Sequence, residues 1–148
     1  MKPIFTLANA PDADELLVLM REFYAVEHLA FDEEAARDAL RQILSEERFG
    51  VVALIRVDGE TAGYLVVTFG FSLEFHGRDA FIDEIYLRES FRGRGIGQAG
   101  IEFAAGVCRA QGIAALHLEV ERENTRAQKL YRRAGFRDHD RYLLTKWL

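Results

Sequence analysis

The sequence predicts an α+β fold in three α/β/α layers, with a mixed, mostly antiparallel sheet at the centre. Apolar residues repeat at every second position in several short segments and at every third or fourth position in longer ones. These two periods are typical of strands and of amphipathic helices, respectively. The predicted order is β-α-α-β-β-β-α-β-α-β. Because helices come both before and after a run of three strands, we expect antiparallel and parallel neighbours in one sheet.

Local signals place the first three elements. Residues 4–8, Ile-Phe-Thr-Leu-Ala, predict a short strand. Pro11-Asp12 begins the first helix, because proline is favoured in the first helical turn. Asp32 begins the second helix, because acidic side chains are favoured at the positive N-terminal end of a helix.

Three strands are predicted in the middle of the chain. An apolar strand over 51–57 and a returning strand over 61–71 are joined by Asp58-Gly59, a dipeptide typical of a tight hairpin turn. A third strand over 81–87 follows a segment, 69–79, that we expect to form a long hairpin tip.

The remaining elements alternate between helix and strand. A helix is predicted over 97–111 and a strand of clean alternation over 116–121. Asn124 begins a short helix that ends at Gly135, since glycine is the common residue just after a helix. A final strand is predicted over 142–147.

Composition excludes several classes of protein. The chain has 49% hydrophobic and 29% charged residues, which is ordinary for a globular protein, and its length suits one domain over residues 1–148. One cysteine, Cys108, excludes a disulfide scaffold, and no apolar run is long enough for a membrane span. The residues after Met1 do not form an apolar leader, so we expect a cytoplasmic protein with no membrane partner.

The charge pattern bears on the ligands. The net charge of −5 argues against a nucleic-acid partner. Acidic residues are concentrated in the first half of the chain and basic residues in the second. This asymmetry favours a cationic ligand near the first half and an anionic one on the second half.

A glycine-rich loop is the strongest functional signal. Gly93, Gly95 and Gly97 alternate between a predicted strand and a predicted helix. Glycine permits backbone conformations in which several N–H groups point into one concavity, and the helix N-terminus adds partial positive charge. With Arg92 and Arg94 the loop predicts a pocket for a phosphate or a pyrophosphate.

A dinucleotide site is a weaker alternative. Residues 95–100 formally match Gly-x-Gly-x-x-Gly, and Glu119 lies near the position of a ribose-binding acid. Too few residues follow Gly100 to complete a six-stranded doubly wound sheet, which argues against this alternative.

Two motifs, in the right order, resemble those of the GNAT N-acetyltransferases. Residues 92–97 fit that family's Arg/Gln-x-x-Gly-x-Gly/Ala loop. Asn124 to Tyr131 fit its Asn-x-x-Ala-x-x-x-Tyr helix, which Gly135 closes. The resemblance implies transfer of an acetyl group from acetyl-CoA to a primary amine by direct attack in a ternary complex. The acceptor is either a small amine or polyamine, or a lysine or N-terminal amine of a peptide. The family's fold has two neighbouring parallel strands that splay apart around the cofactor.

The resemblance also implies a set of cofactor-binding residues. Backbone groups of one strand bond the pantetheine arm, the loop holds the pyrophosphate, and an asparagine side chain bonds the arm. In this chain these residues are Ile85, Tyr86, Leu87, Arg92, Gly93, Arg94, Gly95, Ile96, Gly97 and Asn124.

Catalysis requires a base for the ammonium proton and an acid for the departing thiolate. Tyr131 is the predicted acid, since the family uses a tyrosine at this helix position and Asn124 lies two turns away on the same face. Glu119 and Glu84 are equal candidates for the base. Asp83 and Glu121 are predicted to bind the amine by charge, which favours a cationic acceptor.

Three further expectations complete the sequence-based interpretation. The histidines have no metal-ligand spacing, so we expect no metal; His117 is a weaker candidate for a proton relay. The resemblance implies that the tip 69–79 builds acceptor walls and dimer contacts, which makes a homodimer a hypothesis. The alternative to an enzyme is a module that binds acetyl-CoA without turnover.

Overall fold

The computed structural model describes residues 2–148 and contains a five-stranded sheet with helices on both faces. Strands and helices lie close to their predicted positions over most of the chain. The elements are β1 (Ile4–Leu7), α1 (Ala13–Val26), α2 (Glu33–Ser45), β2 (Gly50–Val57), β3 (Glu60–Ser72), β4 (Gly77–Leu87), α3 (Ile96–Ala110), β5 (Ala115–Leu118) and α4 (Thr125–Arg133).

The sheet is mixed and mostly antiparallel, as predicted. Its strand order is β1-β2-β3-β4-β5. The first four strands pair antiparallel with one another, and β4 pairs parallel with β5. The parallel pair requires a crossover, which α3 supplies.

Each face of the sheet carries its own hydrophobic core. On one face Leu65 and Val67 of β3 pack with Ile101 of α3. On the other face Tyr64 of β3 packs with Leu16 of α1. Consecutive strand residues point to opposite faces, so one strand supplies both cores, and the three predicted layers are confirmed.

The β4–β5 pair separates part-way along its length. Its pairing runs from Asp79–Ala115 to Ile82–Leu118 and then stops. At the same level β4 bulges: Ile82 lies opposite Val67 and Glu84 lies opposite Val66, which leaves Asp83 as the extra residue. A bulge bends its strand, and here the bend opens a gap between two parallel neighbours.

Two strands predicted near the C-terminal end differ from the structure: one is shorter than predicted, and the other does not form. β5 ends at Leu118, so Glu119 and Glu121 lie in the segment after the strand and not on it. Their alternation continues the strand pattern, but β4 has bent away and offers no partner. Residues 142–147 form no strand, because an extended segment becomes one only where a neighbour pairs with it, and within 2–148 none does.

The hairpin between β3 and β4 is also shorter at its tip than predicted. The two strands pair as far as Ser72–Gly77, so most of 69–79 is strand. Arg78 and Asp79 interrupt the apolar pattern, but each is paired: Arg78 with Gln111 and Asp79 with His117. These partners allow β4 to begin at Gly77.

Candidate active site

A cleft of about 690 Å³ opens where β4 and β5 separate. It is lined by the end of α1, the middle of β4, the segment after β5, α4 and part of the C-terminal segment. Its lining residues include Phe23, Glu27, Leu29, Phe81, Asp83, Glu84, Ile85, Leu118, Glu119, Glu121, Asn124, Tyr131 and Arg141.

The glycine loop lies directly before α3 and has the conformation that its glycines allow. Gly93 and Gly95 have φ values of 73° and 79°, in the left-handed region that other residues avoid. Gly95 is the residue that caps α3, so the first N–H groups of that helix point out of the loop. This arrangement fits a pyrophosphate.

The two arginines of the loop are held by side chains and backbone next to it. Arg92 donates from Nε to the carbonyl oxygen of Leu87 at 2.8 Å, and its guanidinium lies over the ring of Tyr86. The guanidinium of Arg94 lies over the ring of Phe91. Both cations therefore stay beside the loop, where they favour an anion.

The exposed edge of β4 lies between the loop and the cleft. Ile85, Tyr86 and Leu87 pair with β3 on one side, and β5 ends before it reaches them on the other. Backbone groups on that second edge are therefore available to an extended ligand. This edge and the loop together fit an arm that ends in a pyrophosphate.

α4 brings two predicted residues to the cleft. The side-chain oxygen of Asn124 accepts from the Ala127 N–H at 3.1 Å and caps the helix, so a contact between Asn124 and a cofactor stays a prediction. Tyr131 lines the cleft and is partly buried. Burial, and then the charge of Glu27, raises the pKa of Tyr131, which keeps its hydroxyl protonated.

Glu84 is the most enclosed carboxylate of the cleft. Its Oε1 accepts from the Tyr64 hydroxyl at 2.7 Å and its Oε2 from the Tyr24 hydroxyl at 2.5 Å. Burial raises the pKa of Glu84, while the two phenol hydrogen bonds lower it and the charge of Asp83 raises it again. Its net pKa lies above that of an ordinary glutamate.

The other predicted carboxylates also reach the cleft. Asp83, Glu119 and Glu121 line it, but all three have exposed side chains. Asp83 keeps contact with solvent, but the protein around it partly desolvates its carboxylate and thereby raises its pKa. The structure thus brings both predicted bases, Glu84 and Glu119, to one cleft with Tyr131, and it gives only Glu84 an enclosed position.

Sequence reasoning missed Tyr24 and Tyr64. These residues lie 60 and 20 positions from Glu84 and come from α1 and β3. No spacing within one element reveals such a contact. The one signal in the sequence is that both tyrosines stand among apolar residues. A tyrosine buried there needs a hydrogen-bond partner for its hydroxyl, but the sequence does not say which residue it is.

His117 has a partner outside the cleft. Its Nε2 lies 3.0 Å from Asp79 Oδ2, and its ring contacts those of Phe75 and Phe81. It is not among the cleft-lining residues, so the proton relay suggested by the sequence has no direct contact with Glu84 or Tyr131.

The described residues, 2–148, also bear on other classes of site. They contain no group of three or more metal-ligating side chains placed to share an ion. No helix among them has the length and apolarity that crossing a membrane requires.

The family follows from a match between residues 15–136 and the model of the acetyltransferase (GNAT) family. The chain belongs to the GNAT acetyltransferases. A thialysine N-epsilon-acetyltransferase of Bos taurus is 32% identical over 143 residues, which span 88% of this chain and 82% of that protein. Acyl-CoA-dependent N-acetyl transfer is therefore the activity of this GNAT chain, and acetyl-CoA is its acetyl donor.

Solved structures agree with the fold. An integron cassette protein from the mobile metagenome of Cole Harbour Salt Marsh superposes with a TM-score of 0.86 at 33% identity, over 97% of this chain and 90% of that one. An aminoglycoside N-acetyltransferase in complex with CoA superposes with a TM-score of 0.83 at 17% identity, over 99% and 95%. The GNAT fold is thus confirmed over at least 97% of the chain.

Gly95→Ala should weaken acetyl-CoA binding about tenfold, because a left-handed backbone costs other residues about 1–2 kcal/mol. The loop then relaxes away from the conformation that presents its N–H groups. Calorimetric titration with acetyl-CoA measures the affinity.

Gly112→Ala is the matched control. Gly112 has a φ of 71°, close to the 79° of Gly95, and a Cβ at either position meets nothing within 4 Å. Both variants should lose similar stability in urea, and only Gly95→Ala should lose affinity. Equal affinities in the two variants would contradict the role of the loop.

Proposed function

We propose that this GNAT enzyme acetylates a small, cationic primary amine, which attacks acetyl-CoA directly in a ternary complex. One observation carries the proposal: an enclosed carboxylate, Glu84, lies in the same cleft as a protonated tyrosine, Tyr131. The first group suits an incoming ammonium and the second suits a departing thiolate. We further propose that the domain occupies the whole chain.

The charge of the cleft supports a cationic acceptor. Carboxylates outnumber guanidinium groups along its lining, and one of the two arginines, Arg141, is already paired with Glu74. Excess negative charge in a cleft raises the local concentration of cations. The acidic lining residues are Glu27, Asp83, Glu84, Glu119, Glu121 and Glu123.

The relative from Bos taurus supports an amine at the end of a flexible chain. Its name states that it acetylates the epsilon nitrogen of thialysine. A side chain of that kind is narrow enough to carry its amine down to an enclosed carboxylate. We therefore propose thialysine or an amine of similar shape as the acceptor.

We assign the general base to Glu84 in preference to Glu119. An alkylammonium has a pKa near 10 and must lose a proton before its nitrogen attacks. Glu84 accepts that proton on a carboxylate oxygen, directly or through one water molecule. A base with a raised pKa takes the proton more readily than a carboxylate of ordinary pKa, and Glu84 is enclosed where Glu119 is exposed.

We assign the general acid to Tyr131. Acetyl-CoA supplies the acetyl group as a thioester. The Tyr131 hydroxyl stays protonated because burial raises its pKa, and so it holds a proton to give to the departing sulfur. Cys108 is buried in the α3 core, outside the cleft lining, and burial raises its pKa, which disfavours a covalent acetyl-cysteine.

Two wider proposals accompany this function. The cytoplasm is the proposed location, supported by the need for a supply of acetyl-CoA. A homodimer stays a proposal, supported by exposed apolar side chains at the tip of the β3–β4 hairpin and in the C-terminal segment. These side chains include Phe71, Leu73, Tyr142, Leu144 and Trp147.

Thialysine should be acetylated with a higher kcat/KM than a peptide that begins with alanine, as followed by mass spectrometry and release of free CoA. A preference for the peptide would overturn the small-amine acceptor and leave the transferase intact. Binding of acetyl-CoA without turnover of either amine would favour the non-catalytic module.

Tyr131→Phe should lower kcat by about 100-fold or more, the usual contribution of a general acid, and leave the affinity for acetyl-CoA nearly intact. Steady-state rates and calorimetric titration separate the two effects. An unchanged kcat would remove Tyr131 from the reaction.

Glu84→Gln should lower kcat by about 100-fold or more and abolish the acid limb of the pH–rate profile. The base acts only when deprotonated, so in the wild type that limb should lie above the ordinary glutamate pKa of about 4.3. Glu119→Gln, the matched variant, should raise KM and leave kcat and the limb in place. The reverse pattern would assign the base to Glu119.

A further inference from the structure

Glu84 accepts hydrogen bonds from two tyrosine hydroxyl groups that lie on two other elements. The Tyr24 hydroxyl, from α1, donates to Oε2 at 2.5 Å, and the Tyr64 hydroxyl, from β3, donates to Oε1 at 2.7 Å. Each carboxylate oxygen therefore accepts one phenol hydrogen bond and retains a second lone pair for another donor. We call Tyr24 and Tyr64 the phenol clamp.

The two tyrosines of the clamp are themselves fixed by aromatic packing. Tyr64 is 0% exposed and lies 6.3 Å from the rings of Phe23 and Tyr86. Tyr24 is partly buried, with its ring edge-on to Phe23 at 5.8 Å and to Phe31 at 5.3 Å. Neither ring can turn its hydroxyl away without breaking these contacts.

The clamp lies at the level of the β4 bulge, where the cleft begins. Glu84 pairs with Val66 directly after the bulged Asp83, so its side chain points to the α1 side of the sheet. Without partners, a long glutamate side chain at this kink has several rotamers. Two donors from separate elements select one orientation of the carboxylate plane.

We propose that Tyr24 and Tyr64 are positioning residues for acetyl transfer: they hold the Glu84 carboxylate in one orientation and in its ionised form, ready to accept the acceptor's proton. This inference rests on the proposed function, because it assumes that Glu84 is the base. It adds that the two phenol hydrogen bonds set the pH range in which Glu84 is deprotonated and accepts a proton.

The electrostatic surroundings agree with that role. Burial and the neighbouring Asp83 raise the pKa of Glu84, and only the two phenols lower it. Burial raises the pKa values of both phenols, so each remains a donor over the working pH range. Glu27, directly after α1, and Tyr131 from α4 face the same cleft, as do Glu119 and the Glu74-paired Arg141.

Removal of one phenol should therefore move the acid limb of kcat/KM to higher pH. For Tyr24→Phe we expect a displacement on the order of one pH unit, the equivalent of one hydrogen bond to a charged group. Activity should fall roughly tenfold below the limb and recover above it. Tyr64→Phe should shift the limb in the same direction.

A double variant tests whether the effect passes through Glu84. In a Glu84→Gln background, Tyr24→Phe should cause no further loss of kcat, because the carboxylate that it holds is gone. Phe31→Leu is the packing control: it removes one ring contact of Tyr24 but keeps the hydroxyl and the Phe23 contact, so its limb should move less than that of Tyr24→Phe.

The outcomes separate the two proposals. A limb that stays in place in both Tyr24→Phe and Tyr64→Phe, or a uniform loss of kcat at every pH, would overturn the clamp while Glu84 remains the base. Wild-type activity in Glu84→Gln would overturn the base assignment itself. Thermal unfolding shows whether each phenylalanine variant is folded. If one of them is not, ¹³C NMR titration of the Glu84 carboxyl in the other shows whether loss of a phenol raises the pKa of Glu84.

Discussion

The site depends on the point at which parallel pairing stops. β4 and β5 share backbone hydrogen bonds as far as Ile82 and Leu118, and the extra residue Asp83 then bends β4 away. This one bulge has three consequences. It leaves a free edge of β4 that fits an extended cofactor, it opens a gap between β4 and β5, and it directs the Glu84 side chain toward α1. A regular sheet over the same residues would have no room for a reaction.

The two ends of this gap differ in character. At one end a glycine loop and a helix terminus present N–H groups and arginines to an anion. At the other end carboxylates from β4 and from the segments after α1 and after β5 line the cleft. The uneven charge of the two halves of the chain does not explain this difference, because among the acidic lining residues only Glu27 belongs to the first half, and the loop belongs to the second half with the others.

Features that depend on residues close together in the sequence could be predicted, whereas features that depend on contacts between distant residues could not. The loop at 92–97 and the short helix after Asn124 depend on backbone needs that particular residues meet at fixed spacing, and both were predicted. β5 ends at Leu118 because β4 bends away at Asp83, a residue far from Leu118 in the sequence. The contact of Glu84 with Tyr24 crosses 60 residues, and the missing strand at 142–147 reflects the lack of a pairing neighbour.

The ion pair between Glu74 and Arg141 gives the cleft an ionic-strength dependence. Arg141 and its neighbours form one wall, and two hydrogen bonds from its guanidinium to Glu74 fasten that wall to the hairpin tip. Both side chains are exposed, so dissolved salt screens their attraction. Salt therefore acts twice on this cleft: it screens the negative charge of the lining and weakens the ion pair that holds one wall in place.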